Sequence, residues 1–300
     1  MQEPQASERP ESDRYHWRVG LWKHLGLFLL TVLVILLWWR YYSAGNWTDG
    51  AWYAGGVLAI LSAHEFGHYF AARHYGVDVT LPYYLPGIPP LYTFGAFIKM
   101  RASHMSRTAL LVVGAAGPIA GALVALPVYI VGLSLSGLVE VPPVRDPLGM
   151  MFMGDSVLGW LLIRLQFGVI PAGTDVYLHP LAYAGWVGFF VTALNLVPVG
   201  QLDGGHVNYA LFGTSYRRYS RWLYRLMIVC GLLLHPMWLV LSIFLLFTGV
   251  EHPPMLRNDD VLPRWAKGVG YACIGVFVLT FMPVPIVVPP LWELLATVLG

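Results

Sequence analysis

The sequence predicts an α-helical polytopic membrane protein with about six transmembrane helices. Of its 300 residues, 57% are hydrophobic and only 11% are charged, whereas soluble domains have about 25% charged residues. Several apolar runs reach the length of about 20 residues that a bilayer-spanning helix needs. The net charge of +2 gives no indication of nucleic-acid binding, so we interpret Lys and Arg as markers of membrane topology.

The chain begins with a polar stretch, residues 1–20, that we predict to be a disordered tail. Residues 21–49 follow as a transmembrane anchor, because no small-residue cleavage site succeeds the apolar run. The six predicted spans are 21–42, 50–72, 108–138, 181–199, 222–249 and 267–282. A shorter apolar stretch, 284–299, is broken by prolines and is left open as a short span or an interfacial segment.

The distribution of basic residues predicts the orientation of these spans. With the N-terminus inside and six spans threaded in order, 12 Lys and Arg residues fall inside and 6 fall outside, among them Arg264 and Lys267. Cytoplasmic segments carry the excess of Lys and Arg. A cytoplasmic N-terminus is therefore predicted.

Two connections differ from ordinary loops. Residues 78–107 are too rich in proline and glycine for a helix and too apolar for a solvated loop, so we predict short strands that form a membrane-associated β-hairpin. Residues 140–180 include "DSVLGWLLIRLQFGVI". This run has the composition of an amphipathic helix that lies at the membrane interface.

The stretch "HEFGH" contains His64, Glu65 and His68 within an apolar span. Positions 64 and 68 of a helix lie one turn apart on one face, so both imidazoles can bind one metal ion. Zinc accepts nitrogen and oxygen ligands in tetrahedral sites. A carboxylate beside the first ligand can take a proton from the attacking water. Ionisable residues within a membrane span are costly and usually mark a functional site.

A catalytic zinc site usually has three protein ligands, so a third must come from another span. The segment "NLVPVGQLDGGH" ends an apolar span, breaks at Pro198 and Gly200, and then presents Asp203. The following glycines allow close approach of the backbone. Asp203 is the favoured third ligand, and His206 is the alternative. The two cysteines, Cys230 and Cys273, are interpreted as small buried hydrophobic residues.

Taken together, "HEFGH", "GAAGPIAG" and "NLVPVGQLDGG" resemble the site-2 protease family of intramembrane zinc metalloproteases. The resemblance covers residues 50–135 and 181–213, which would form a three-helix catalytic core. Within this family, the motifs most resemble the compact bacterial and plastid branch, which lacks PDZ and CBS domains. Residues 50–213 are accordingly predicted to be the catalytic core, and residues 214–300 the C-terminal transmembrane helices.

The resemblance implies a role for each matching residue. His64, His68 and Asp203 would bind one Zn²⁺ per chain, and Glu65 would be the catalytic base. Asn195 would contact the substrate or a developing oxyanion, with an interhelical hydrogen bond as the alternative.

The resemblance also assigns a segment that would bind substrate. "TFGAF" matches a membrane-dipping hairpin whose edge strand would pair with an unwound substrate; it comprises Thr93, Phe94, Gly95, Ala96 and Phe97. The sequence departs from many relatives at Gly121, where they carry Asn or Ser. A packing role for Gly117 and Pro118 is still expected there.

The expected function is cleavage of the transmembrane segments of single-span membrane proteins, with membrane lipid as the other partner and no nucleic acid. The expected location is a bacterial inner membrane. A metal-binding or transporting membrane protein is one alternative, although a transport path would need ligands at several depths. An inactive family member that binds membrane partners is another, although Glu65 and all three ligands are present.

Overall fold

A computed structural model describes residues 12–42, 46–100, 105–141, 152–251 and 261–287. The helices are α1 (Ser12–Tyr42), α2 (Trp47–His74), α3 (Arg107–Ser134), α4 (Val157–Phe167), α5 (Pro180–Leu196), α6 (Asp203–Phe212), α7 (Tyr216–Leu233), α8 (Met237–Thr248) and α9 (Arg264–Thr280). The strands are β1 (Tyr83–Pro86), β2 (Thr93–Phe97), β3 (Gly137–Glu140) and β4 (Thr174–Tyr177).

Two of the described helices are both long and apolar enough to cross a bilayer, Gly20–Tyr42 and Arg107–Ser134. Helix α2 has 28 residues and would reach about 42 Å, but its polar residues lower its hydropathy. Three shorter apolar helices are Val157–Phe167, Pro180–Leu196 and Met237–Phe247. The structure therefore supports a helical membrane protein with fewer evident spans than the six predicted.

Helix α1 begins at Ser12, within the stretch that the sequence predicts to be disordered. Pro10 is the last residue before it that would break a helix, and no proline or glycine follows until Gly20. Polar residues such as Arg and Ser continue a helix at little cost. Residues 1–11 of the predicted tail lie outside the described residues.

The centre of the molecule is a three-helix core of α2, α3 and α5, which pack extensively against one another. Large aromatic side chains fill it: Tyr53, Tyr129, Trp186 and Phe189 are all at most 1% exposed. The ring of Tyr129 lies edge-on to Phe189, with 5.2 Å between centroids. Burial of such side chains supplies the main packing energy of a helical core.

The bundle has two ends, which we name the Arg107 end and the Ser136 end. Helix α3 begins at the Arg107 end and finishes beside Ser136, whose hydroxyl accepts a hydrogen bond from the backbone N–H of His179 just before α5. Helix α2 runs antiparallel to α3 and begins at the Ser136 end, where Trp52 lies 6.0 Å from His179. Helix α5 therefore starts at the same end as α2.

The predicted β-hairpin is present as β1 paired antiparallel with β2. At its open end Tyr83 contacts His24 of α1, with 4.1 Å between ring centroids. At its tip Tyr92 contacts Trp39 of α1 at 5.4 Å. Because His24 and Trp39 are 15 residues apart on one helix, the hairpin extends about 20 Å along the bundle. It thus lies along α1, one of the two helices long and apolar enough to cross a bilayer. At such a depth non-helical backbone would need to be covered by protein.

The prediction of one span over 222–249 is wrong, because this segment forms two helices, α7 and α8. The chain reverses at His235 and Pro236, where proline cannot continue the preceding helix, and Gly231 lies against Leu239 of the returning helix. The hydroxyl of Ser220, near the start of α7, donates to the carbonyl of Val250 just after α8. Both outer ends of this helical hairpin therefore lie on the same side.

This reversal changes the side on which α9 begins. Leu262 and Ala266 pack against Leu110 and Leu111, so α9 starts at the Arg107 end. Arg264 and Lys267 therefore lie on the same side as Arg107 rather than on the opposite side, as the sequence predicted. The correction moves two basic residues to the Lys- and Arg-rich side and so strengthens the charge asymmetry.

The connection between α3 and α5 contains more structure than one helix. Helix α4 occupies the centre of the predicted amphipathic run, and Ser156 caps it by accepting from the Gly159 N–H at 3.0 Å. Strands β3 and β4 pair antiparallel at the Ser136 end. Trp160 and Leu165 of α4 are exposed, as an interfacial helix requires.

Candidate metal centre

Helix α2 supplies three of the predicted site residues. It begins at the cap residue Asn46, whose side chain accepts from the Asp49 N–H at 2.8 Å. His64, Glu65 and His68 are 3–5% exposed. Because polar groups of this kind are expensive to bury, each needs a partner within the bundle.

Asp203 is the first residue of α6, after a break in the chain. Helix α5 ends at Leu196, and Pro198 and Gly200 prevent its continuation. The start of α6 then folds back closely: a β-carbon at Gly204 would overlap the carbonyl oxygen of Leu196. The glycine therefore permits the close backbone approach predicted from the sequence, and this approach turns Asp203 towards α2.

The three predicted ligands lie together in space. Nε2 of His64 and Nε2 of His68 are 3.2 Å apart, and each is 3.2 Å from Oδ2 of Asp203. In a tetrahedral zinc site with bonds of about 2.0–2.2 Å, ligand atoms are about 3.3–3.6 Å apart. The three atoms thus have the spacing of one face of a zinc tetrahedron. These residues are the group of potential metal ligands found among the described residues, and His206 is not part of it.

Helix α3 orients one of these imidazoles. Nδ1 of His68 donates a hydrogen bond to the carbonyl oxygen of Val113 at 2.7 Å. This bond places the proton on Nδ1 and leaves the lone pair of Nε2 facing His64 and Asp203. Such a bond from the second ring nitrogen is the usual way in which proteins orient a metal-binding histidine.

Helix α3 also provides the space in which the imidazoles lie. A β-carbon at Gly117 would overlap the ring of His68, and one at Gly121 would lie 3.2 Å from Nδ1 of His64. Gly117 is therefore required by the site itself, and a side chain at Gly121 would crowd His64, so the glycines of "GPIAG" serve more than helix packing. The absence of Asn or Ser at Gly121, noted as a departure from relatives, leaves His64 uncrowded.

Glu65 lies near both the ligand triangle of its neighbours and the β-hairpin. The backbone of Ile98, the residue that directly follows β2, lies within reach of the Glu65 carboxylate. His68 and Asp203 are close enough to interact with it electrostatically. A carboxylate in this position can exchange protons with groups at the ligand triangle.

Asn195, near the end of α5, also reaches the triangle. Its side-chain Nδ2 lies 3.3 Å from Nε2 of His64. Because that nitrogen is the one that faces the other ligands, the amide lies at the edge of the position a metal would occupy. Both interpretations, an oxyanion donor and an interhelical contact, are compatible with this position.

The five residues predicted to bind substrate form β2. Thr93 is buried and donates to the carbonyl of Leu85 at 2.8 Å, which closes the hairpin. Phe94 and Phe97 are exposed. Within the described part of the chain, the strand order is β1–β2 and no third strand is paired with it, so one edge of β2 is open to another strand.

Several residues that support this site have no sequence motif that marks them. Arg107 was treated as a topology marker, yet its Nε donates to the carbonyl of Ala210 at 2.6 Å and its Nη2 to that of Leu211 at 3.1 Å. Arg107, the first residue of α3, thereby links that helix to the C-terminal carbonyls of α6, the helix that carries Asp203. The role of the Val113 carbonyl was also not predicted, because a sequence does not show which backbone groups form hydrogen bonds with side chains.

Comparison with known proteins agrees with these motifs. Residues 52–234 match Peptidase family M50. The chain is 35% identical over 258 residues to "Probable zinc metalloprotease EGY1, chloroplastic" of Arabidopsis thaliana, an alignment that covers 82% of this chain and 44% of the relative. The protein with the same description from Oryza sativa subsp. japonica is 33% identical over 263 residues, covering 82% and 42%.

A second group of relatives is similar over a shorter region. "Probable zinc metalloprotease EGY2, chloroplastic" of Oryza sativa subsp. indica is 31% identical over 170 residues, covering 55% of this chain and 30% of the relative. The chain therefore spans less than half the length of these curated relatives. The family match includes α2, α3, α5 and α6, the helices that bring His64, His68 and Asp203 together. On these grounds the chain belongs to Peptidase family M50, the site-2 protease family that its motifs predicted.

Proposed function

We propose that this protein is a zinc metalloprotease that cleaves the transmembrane segments of single-span membrane proteins within or beside the membrane. One observation carries the proposal: Glu65 lies next to a triangle of three ligand atoms with mutual distances of 3.2 Å, inside a bundle of apolar helices.

The donor set fits zinc. Two imidazole nitrogens and one carboxylate oxygen are typical of catalytic zinc sites, which keep a fourth position open. His64, His68 and Asp203 would hold one Zn²⁺ per chain. Zinc, when bound, acts as a Lewis acid that polarises a carbonyl group and lowers the pKa of a water molecule.

Other residues of the chain would have separate roles in the reaction. Glu65 would accept the proton of the attacking water and deliver it to the leaving amine, the role of a general acid–base. Asn195 would donate its amide N–H to the oxygen that gains negative charge. The Val113 carbonyl would keep the ring of His68 in the required orientation.

The hairpin would present the substrate. A peptide bond in a helix is shielded by its own hydrogen bonds, so a transmembrane helix must unwind before it is cut. An unwound segment can pair with the unpaired edge of β2, Thr93–Phe97, by strand addition. Because Ile98 at the end of this strand contacts Glu65, a paired substrate would lie near the base.

The site would lie at moderate depth from one membrane surface. Gly117 is ten residues from Arg107, which corresponds to about 15 Å along α3. The Arg107 end carries the basic residues, so we propose that it faces the cytoplasm, together with the N-terminus. The side chain of Asp203 is 17% exposed, which would allow water to reach the ligand triangle. A bacterial inner membrane remains our prediction; the names of the plant relatives place those proteins in chloroplasts.

The experiment that tests this function uses the full-length protein in liposomes. The substrates are tagged single-span reporters whose transmembrane helix is weakened by Asn and Gly. The Glu65→Gln variant should retain zinc, because position 65 is not a ligand, and should lose cleavage by about 10²- to 10⁴-fold. Zinc content is measured by mass spectrometry of the purified protein, and cleavage is measured from the released fragments.

The matched control is Glu251→Gln, which changes an exposed carboxylate whose partner is Arg221. It should leave zinc content and cleavage unchanged. Equal cleavage by the wild type and Glu65→Gln would refute the proposed mechanism. Zinc binding with no cleavage of any reporter by the wild type would favour the inactive or metal-binding alternatives.

A further inference from the structure

A pair of hydroxyl groups joins the β-hairpin to the helix that carries Glu65. The hydroxyl oxygens of Ser62 and Tyr84 are 2.7 Å apart. Ser62 precedes Glu65 by three residues, so the two side chains project from neighbouring positions on one side of α2. The hydrogen bond is therefore formed close to the predicted catalytic base.

Tyr84 is held firmly in this position. Its side chain is 6% exposed, and its ring packs edge-on against Phe28 of α1, with 4.9 Å between centroids. The residue is thus enclosed between α1 and α2, with its hydroxyl directed at Ser62. Movement of the strand would require this part-buried hydrogen bond to break.

The Ser62–Tyr84 bond lies beside the contact between Glu65 and Ile98. Tyr84 pairs with Ala96 across the hairpin. Ile98 lies two residues after Ala96, just beyond the end of β2. The open end of the hairpin therefore lies against α2 at two adjacent points. One is a side-chain pair, and the other is the base itself.

The tip of the hairpin is attached separately. The hydroxyl of Tyr53 donates to the carbonyl of Leu91, and that of Tyr183 donates to the carbonyl of Pro90 at 2.7 Å. Tyr53 and Glu65 are 12 residues apart on α2, which is about 18 Å. These bonds fix the tip but do not determine the position of the strand next to Glu65.

We propose that Ser62 and Tyr84 are a positioning pair that holds β2 in register with Glu65 and thereby selects which peptide bond of the substrate is cut. The inference rests on the proposed function. A strand rises about 3.3 Å per residue, so a slip of one residue would bring a different peptide bond to the base. Misplacement of a substrate by about 1 Å already has large effects on rate.

The test uses Tyr84→Phe and Ser62→Ala in the liposome assay with the same single-span reporter. Each variant should lower kcat/KM by about three- to tenfold, the effect of one hydrogen bond. Each should also produce fragments cut at neighbouring bonds, detected by mass spectrometry, with zinc content unchanged. Ser62→Thr, which keeps a hydroxyl, should retain the single cut. The double variant should be no worse than either single variant, because both remove the same bond.

Two controls separate register from general stability. Tyr83→Phe removes a hydroxyl from the neighbouring residue of β1, and Tyr183→Phe removes a hydrogen bond at the tip. Neither variant should produce fragments cut at additional peptide bonds. Amide hydrogen exchange of the protein without substrate gives a second measurement: the Ile98 amide should exchange faster in Tyr84→Phe and not in Tyr83→Phe.

The outcomes are distinguishable. A single unchanged cleavage position in both Tyr84→Phe and Ser62→Ala would overturn the inference, and so would a loss of zinc that parallels the loss of rate. If the wild type cuts no reporter, the proposed function fails, while the exchange rate of Ile98 still decides the attachment of the hairpin. An unchanged exchange rate of the Ile98 amide in Tyr84→Phe would overturn the proposed attachment of the hairpin.

Discussion

The α-carbon of Gly117 faces the imidazole of His68 so closely that a β-carbon at position 117 would overlap Nε2 of the ring. Nε2 is the atom that faces His64 and Asp203. The ring cannot move away freely, because its Nδ1 is bonded to the carbonyl of Val113. A glycine on one helix thus determines whether a histidine on another can bind a metal.

We expect Gly117→Ala to weaken zinc binding by at least about tenfold, as changes that misorient a metal ligand do. Zinc affinity of the purified protein, measured by competition with a chelator, checks this. Gly26→Ala is the control, because a β-carbon at this helical glycine meets no atom within 4 Å. Unchanged affinity in Gly117→Ala would show that α2 and α3 can separate without cost.

The third ligand is tested by comparing Asp203 with His206. Asp203→Ala should abolish stoichiometric zinc binding, since only two imidazoles would remain. His206→Ala should retain zinc, because His206 is outside the group of ligand atoms. Zinc per protein is measured after dialysis, with folding checked by size-exclusion chromatography. The opposite pattern would assign the third ligand to His206.

The role of Asn195 is tested by Asn195→Ala. If its amide stabilises the developing oxyanion, kcat should fall about 10²-fold while zinc content and thermal stability stay close to those of the wild type. The measurements are kcat on the single-span reporter and zinc content of the same preparation. A parallel fall of both would instead show that Asn195 mainly positions His64.

The reversal between α7 and α8 predicts the side on which Glu251 lies. In a Cys230→Ala background, Glu251→Cys should react with a membrane-impermeant thiol reagent from the same side as Arg218→Cys. Glu140→Cys, on β3 at the Ser136 end, should react from the opposite side. Labelling of Glu251→Cys from the same side as Glu140→Cys would instead support the single span that the sequence predicted for 222–249.

Much of the site could be predicted from the sequence because its chemistry is carried by residue types at fixed helical spacing. His64 and His68 are one turn apart on any helix, so their shared face follows from the 3.6-residue repeat. Asp203 could be expected from the demand for a third ligand and from the glycines that follow it. The strands of the hairpin could be expected because proline and glycine exclude a helix from 82–90.

Other features depend on contacts between distant segments and were therefore not predicted. The reversal at Pro236 turned one apolar run into two helices, since hydropathy does not distinguish a span from a helical hairpin of the same composition. The Arg107 side chain meets α6, more than 100 residues later, and the hydroxyl of Tyr84 meets Ser62.

The sequence by itself determined the membrane class, the family and the residues that could bind zinc, because these follow from composition and local spacing. Only the tertiary structure decided which backbone groups orient those residues and how the hairpin is attached to α2. The physical reason is that hydrogen-bond partners and excluded volume are properties of packed helices. The 3.2 Å triangle of ligand atoms exists only where α2, α3 and α6 meet.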